Sequence, residues 1–170
     1  MTWLAIDPSL RNTGYALATE DRVIRVGLIC TEGNRAAKVY LDNARCLRYI
    51  SLMLGALSDT YPWAPVYAEA KGGSKSAKAA AAMAMSQGVL MGSLTPRHEV
   101  TLMLPQEVKK RLTGNRSATK DDIRAAVDKL YPDAFEMMVE QGYKAKKYNE
   151  HIYDALAIGW AINQRNKENA

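Results

Sequence analysis

The sequence predicts an α/β fold, a mixed five-stranded sheet flanked by helices, on three observations. Strand-like runs at 2–7, 13–18 and 22–30 follow one another with only short turns between them. Later strand-like segments, at 66–69 and 100–104, alternate with long helical patterns, the order that produces parallel strands joined by helices. No internal repeat or interdomain linker interrupts the 170 residues, so one domain spanning 1–170 is expected.

Each element has a local cause. Trp3-Leu4-Ala5-Ile6 is an apolar run closed by Asp7-Pro8-Ser9, a turn signal, and Thr19-Glu20-Asp21 supplies the next turn. Gly14, between them, permits a close backbone approach. Over 36–59, Val39, Leu47, Ile50, Leu54 and Leu57 recur at amphipathic-helix spacing, and Pro62 and Pro65 end that segment. Val66-Tyr67-Ala68-Glu69 is a short fourth strand. A Gly/Ser/Lys loop over 71–78 leads into an Ala- and Met-rich helix ending near Ser93. Pro105 stops the fifth strand and suits the first position of a short helix, which Thr113-Gly114-Asn115 breaks. Ser117 or Thr119 can cap the next helix, which ends before Pro132. Residues 136–148 read as polar and lysine-rich, with Asn149 capping a last, apolar helix.

Composition narrows the function. Lys and Arg number 23 against 18 Asp and Glu, a net charge of +5, which favours a polyanionic partner. Cys30 and Cys46 are the only cysteines and are expected to be buried free thiols, as in a reducing compartment. No signal-peptide pattern is visible at the N-terminus. The longest apolar stretch, 79–91, is interrupted by Ser86, Gln87 and Gly88 and is too short for a bilayer. A cytoplasmic protein with no membrane partner is expected.

Four positions carry the chemistry. Asp7 and Glu69 close strands, and ligands of open α/β sheets gather at that carboxyl edge. His151 and Asp154, three apart at the head of the last helix, share one face. Each has a bland reading: a turn carboxylate for Asp7, an exposed strand end for Glu69, helix N-terminal polarity for the pair. Together, hard ligands from separate elements suit Mg2+ or Mn2+, ions that catalyse phosphodiester cleavage. Cationic groups adjoin them. Lys71, Lys75 and Lys78 follow Glu69 in a flexible loop. Lys109, Lys110, Arg111, Arg116 and Lys120 surround the break at 113–115, whose amides and following helix N-terminus suit a phosphate. Lys144, Lys146 and Lys147 can extend the track.

These residues carry a specific resemblance. The segment Ala5-Ile6-Asp7-Pro8-Ser9-Leu10-Arg11-Asn12-Thr13-Gly14-Tyr15 is similar to the opening motif of RuvC-type Holliday-junction resolvases. Val66-Tyr67-Ala68-Glu69 resembles the second acidic strand of that family. Residues 105–110, 113–115 and 118–120 resemble its basic segment, and His151-Ile152-Tyr153-Asp154 its closing metal-binding helix. The resemblance implies a ribonuclease H-like fold and a homodimer that nicks two strands of a four-way or branched DNA. It also implies a metal site of Asp7, Glu69, His151 and Asp154 for Mg2+ (Mn2+ substituting), with two ions, and Lys120 on the phosphate. His151 is a ligand or a general base on this reading.

The chain departs from the family in having Ala5 and Ser9 where glycines are usual. It also has Ala70-Lys71-Gly72-Gly73 where cellular members often carry a stacking aromatic, which points to relaxed junction selectivity. Two rivals share the scaffold: a nuclease for RNA–DNA hybrids and an inactive branched-DNA binder. A two-domain ATPase of the actin and sugar-kinase type needs more chain than this.

Overall fold

A computed structural model describes residues 1–34, 36–70, 76–94 and 98–169. Strands β1 (Trp3–Asp7), β2 (Asn12–Ala18) and β3 (Val23–Cys30) form an antiparallel meander. Strands β4 (Val66–Glu69) and β5 (Val100–Met103) join in parallel on the other side of β1, giving the order β3-β2-β1-β4-β5. The helices are α1 (Val39–Thr60), α2 (Ala77–Leu94), α3 (Pro105–Thr113), α4 (Lys120–Leu130), α5 (Ala134–Glu140) and α6 (Lys146–Glu168). This is the mixed, helix-flanked sheet that the patterning predicts.

Strand alternation divides the core into two layers. Leu4, Ile6, Val66 and Ala68 face Ile50 and Leu54 of α1 and Leu90 and Leu94 of α2. Trp3, Ala5 and Tyr67 face the other way, onto Ile152, Leu156 and Ile158 of α6 and Val127 of α4. Because successive side chains point to opposite faces, Asp7 belongs with Ala5 and Glu69 with Tyr67, on the α6 side. The register sets Ile6 beside Ala68 in parallel, so both acids end adjacent strands at the same edge. Each fully buried Ile or Leu of α6 contributes about 1.5–3 kcal/mol, and that packing fixes where the helix lies.

Three expectations need correction. The last helix begins at Lys146, with Ala145 at the N-cap position and no side-chain cap bond, so Asn149 is no cap. Asn149 lies in the first turn, its Nδ2 donating to the Lys144 carbonyl at 3.3 Å. His151 and Asp154 accordingly occupy the second and third turns. Within the stretch 136–148 lies most of α5, held by buried Ala134 and Met138. Cys46 is buried as expected, but Cys30, ending the edge strand β3, is exposed; both are free thiols. Among the described residues, no helix is long and apolar enough to cross a membrane.

Candidate active site

The site grows from the edge where β1 and β4 end. Asp7 pairs across to Gly14 on β2, and α6 lies directly over that pair. A Cβ on Gly14 would sit 2.2 Å from the His151 carbonyl oxygen and 2.4 Å from its carbon. Only the missing side chain lets α6 approach this closely. The approach brings His151 Nδ1 to 2.8 Å from Asp7 Oδ2. A carboxylate can only accept, so in this pairing Nδ1 is the donor and Nε2 is the nitrogen left to face a ligand or a water.

Asp154 follows on the same face of α6, one turn on. Ligand atoms of Asp7, His151 and Asp154 all lie within 4.8 Å of one another, the one such group among the described residues. Glu69 stands outside that group but lines the same cleft of roughly 430 Å3, with Pro8, Ser9, Arg11, Met83, Ser86 and Lys120. The Asp154 carboxyl is pushed up to about 6, first by burial and then by the Asp7 charge, with Glu69 adding to the effect and Lys120 opposing it. Such crowding of oxygen anions is what a divalent cation relieves. Two carboxylates and an imidazole, with a third carboxylate at the rim and no thiolate, fit a hard or borderline cation rather than a structural zinc.

Lys120 enters from the first position of α4. A capping box fixes its backbone: Thr119 Oγ1 accepts from Asp122 N–H at 3.2 Å, and the Asp122 carboxylate accepts from Thr119 N–H at 2.8 Å. Its ammonium donates to Asp154 and lies 3.2 Å from Glu150. Burial lowers the Lys120 pKa, but the Asp154 and Glu150 charges outweigh it and leave the pKa raised.

The remaining sequence-predicted cations are distributed differently. Lys110 and Arg116 line a separate cleft with Gln106, Glu107 and Arg111; α3 ends there on Gly114, whose φ of 78° is left-handed. Lys109 lies on α3, half-buried, outside either cleft. Lys78 lines the groove between α1 and α2 that continues from the cleft past Leu10 and Arg11. Lys71 and Lys75 lie outside the described residues.

Two residues went unforeseen. Glu150 holds Lys120, and its spacing of four before Asp154 was a usable signal. Arg11 donates to Asp42 at 2.6 Å and to Cys46 Sγ at 2.7 Å, pinning the cleft's rim to α1. Arg11, then Arg45 and the Asn34 N–H, hold the Asp42 carboxyl down at about 2. That partnership spans 31 residues and leaves no local trace.

A family model described as "Crossover junction endodeoxyribonuclease RuvC" matches residues 3–162. The chain belongs to the RuvC family. A RuvC relative, "Crossover junction endodeoxyribonuclease RuvC" of Dictyoglomus thermophilum, is 27% identical over 135 residues, 76% of this chain and 82% of its own length. The solved Thermus thermophilus RuvC superposes with a TM-score of 0.75 at 16% identity, covering 99% of this chain and 97% of that one. "T. thermophilus RuvC in complex with Holliday junction substrate" gives 0.78, also at 16% identity, over 99% and 96% of the two chains. The shared architecture is the ribonuclease H-like fold of RuvC, as the opening motif implied.

Proposed function

We propose that this RuvC-family chain is a divalent-metal-dependent endonuclease that resolves four-way DNA junctions by paired symmetrical nicks. The observation that carries the reading is the gathering of Asp7, His151 and Asp154 at the end of β1 in a cleft bordered by Glu69 and Lys120. Asp7, Glu69, His151 and Asp154 would hold Mg2+, or Mn2+ in its place, with two ions per site. Bound there, the metal supplies a lowered water pKa and neutralises charge on the leaving 3′ oxygen.

The chain's own groups do the rest. Asp7 fixes the imidazole through Nδ1, leaving Nε2 as ligand or as proton acceptor toward the attacking water. Asp154 and Glu69 keep the edge anionic. Lys120 presents an ammonium to the scissile phosphate. Lys78, Lys109, Lys110 and Arg116, with Lys71 and Lys75, would neutralise phosphates of the arms, in keeping with the net +5.

Two symmetry-related cuts call for a homodimer. An apolar stripe on α1 supports one: Leu41, Tyr49, Leu52 and Met53 are 37–65% exposed along one side of the helix. The lack of an aromatic at 70–73 supports a second, broader reading, cleavage of other branched DNAs as well. A cytoplasmic site of action suits both.

A synthetic four-way junction tests the proposal. Wild-type protein with Mg2+ should leave paired, symmetrical, ligatable nicks, and EDTA should abolish them. Asp7→Asn should still bind the junction while cleaving at least about 100-fold more slowly. Nicking by Asp7→Asn at the wild-type rate would refute the site; degradation of RNA–DNA hybrids alone would reassign the substrate.

A further inference from the structure

Lys120 sits between two carboxylates, only one of which belongs to the ligand group. Its ammonium donates to Asp154 and lies 3.2 Å from Glu150 Oε1. Glu150 and Asp154 are four residues apart on α6, so they lie on the same face one turn apart. Glu150 takes no part in the cluster of Asp7, His151 and Asp154 and does not line the cleft. It lines instead a small hollow beside Lys120, with Asp121, Arg124, Lys146, Tyr153 and Asp154 itself.

We propose that Glu150 is a positioning residue for Lys120, a second perch that takes the ammonium when Asp154 turns to a divalent cation. This inference rests on the metal-site reading above. A dication and an ammonium repel each other, so both cannot hold the same carboxylate oxygens closely. The capping box immobilises the backbone of Lys120 but leaves its four-carbon stem free to pivot, and the side chain is 51% exposed. Since Glu150 already lies 3.2 Å from the ammonium, shifting fully onto it takes a small side-chain movement, not a change of fold. The ammonium then stays beside the cleft, ready for a phosphate, rather than drifting into solvent. Two consequences follow. Lys120 competes with the cation for Asp154, and Glu150 eases that competition through Lys120 rather than by attracting the metal itself.

Mn2+ binding to the full chain without DNA, read from the free-ion electron paramagnetic resonance signal, separates these effects. Lys120→Met should tighten Mn2+ by about fivefold or more. Glu150→Gln should weaken it by about fivefold in the wild-type background, where the ammonium is left clinging to Asp154. The same substitution should have less than about a twofold effect in Lys120→Met, since its route of action is gone. An equal loss in both backgrounds would show direct attraction of the metal by Glu150 and overturn the proposal, as would a Lys120→Met protein that binds Mn2+ no better. Asp7→Asn serves as the separate check on the site: unchanged Mn2+ affinity there would remove the metal-site reading on which the perch depends.

Discussion

Asp154 carries a clear titration signature within the candidate site. Burial, then Asp7 and Glu69, push its carboxyl to about 6, against 3.8 for an ordinary aspartate. Between those values the folded protein binds more protons than the unfolded chain. The contribution to stability is therefore full below about pH 4 and is lost as pH rises through about 6. The difference corresponds to at most about 3 kcal/mol. In EDTA at pH 7.5, Asp154→Asn should raise Tm by about 2–9 °C, and the gain should fade toward pH 5. Mn2+ should reverse the ranking at pH 7.5, stabilising wild type and leaving the variant unmoved. Differential scanning calorimetry at the two pH values checks this; a gain independent of pH would mean that Asp154 is not crowded by its neighbours. The same crowding explains why one carboxylate does little alone: its charge is costly in the fold and useful only where a cation or Lys120 offsets it.

At the scale of elements, the site depends on how near α6 comes to β2, and Gly14 controls that distance. Its Cβ would meet backbone atoms of His151, which cannot swing aside as a side-chain tip can. Gly14→Ala should force α6 outward, lower stability by about 1–3 kcal/mol, and reduce cleavage more than junction binding because His151 leaves Asp7. Gly88→Ala, on a part of α2 with nothing within 4 Å, is the matched control and should be neutral or slightly stabilising. Equal behaviour of the two variants in thermal melts and nicking rates would contradict this account. Strand alternation and strand-ending acids made the sheet, its edge and the placement of Asp7 and Glu69 legible, because period-two patterning is a local property, while Asp154 was legible through its helical spacing of three from His151. The start of α6 was not legible. Asn149 is a good cap by type, yet the helix runs a turn further back, where Lys146 pairs with Asp121 at 3.3 Å. α5 was hidden because two buried side chains, Ala134 and Met138, suffice to hold seven residues against the core. The Arg11–Asp42 clamp and the split of the cations between two clefts depend on distances between elements, which no window of sequence contains.

For the whole molecule, the question is how one cleft makes two matched cuts. A single site reaching both strands in turn would release nicked intermediates, whereas two sites on a twofold axis can cut before the junction dissociates. On the homodimer proposed above, the surface of α1 would supply the means. Its inner side buries Cys46, Ile50, Leu54 and Leu57, and its outer side leaves Leu52 65% and Leu41 54% exposed, with Tyr49 and Met53 also exposed. Isolated exposed leucines are ordinary, but this run recurs at three, four and eight residues, the spacing of a helix that packs on both sides. A Glu placed at Leu52 would appear twice in an isologous contact, each copy desolvated against an apolar neighbour. Leu52→Glu should therefore weaken self-association by about 30-fold or more, for a cost of at least about 2 kcal/mol, while leaving Mn2+ binding unchanged. Sedimentation velocity reads the first effect. On a four-way junction the variant should produce single nicks that accumulate before any linear duplex appears. If Leu52→Glu sediments as wild type and still cuts in pairs, α1 faces solvent and the twofold axis passes through another face of the protein.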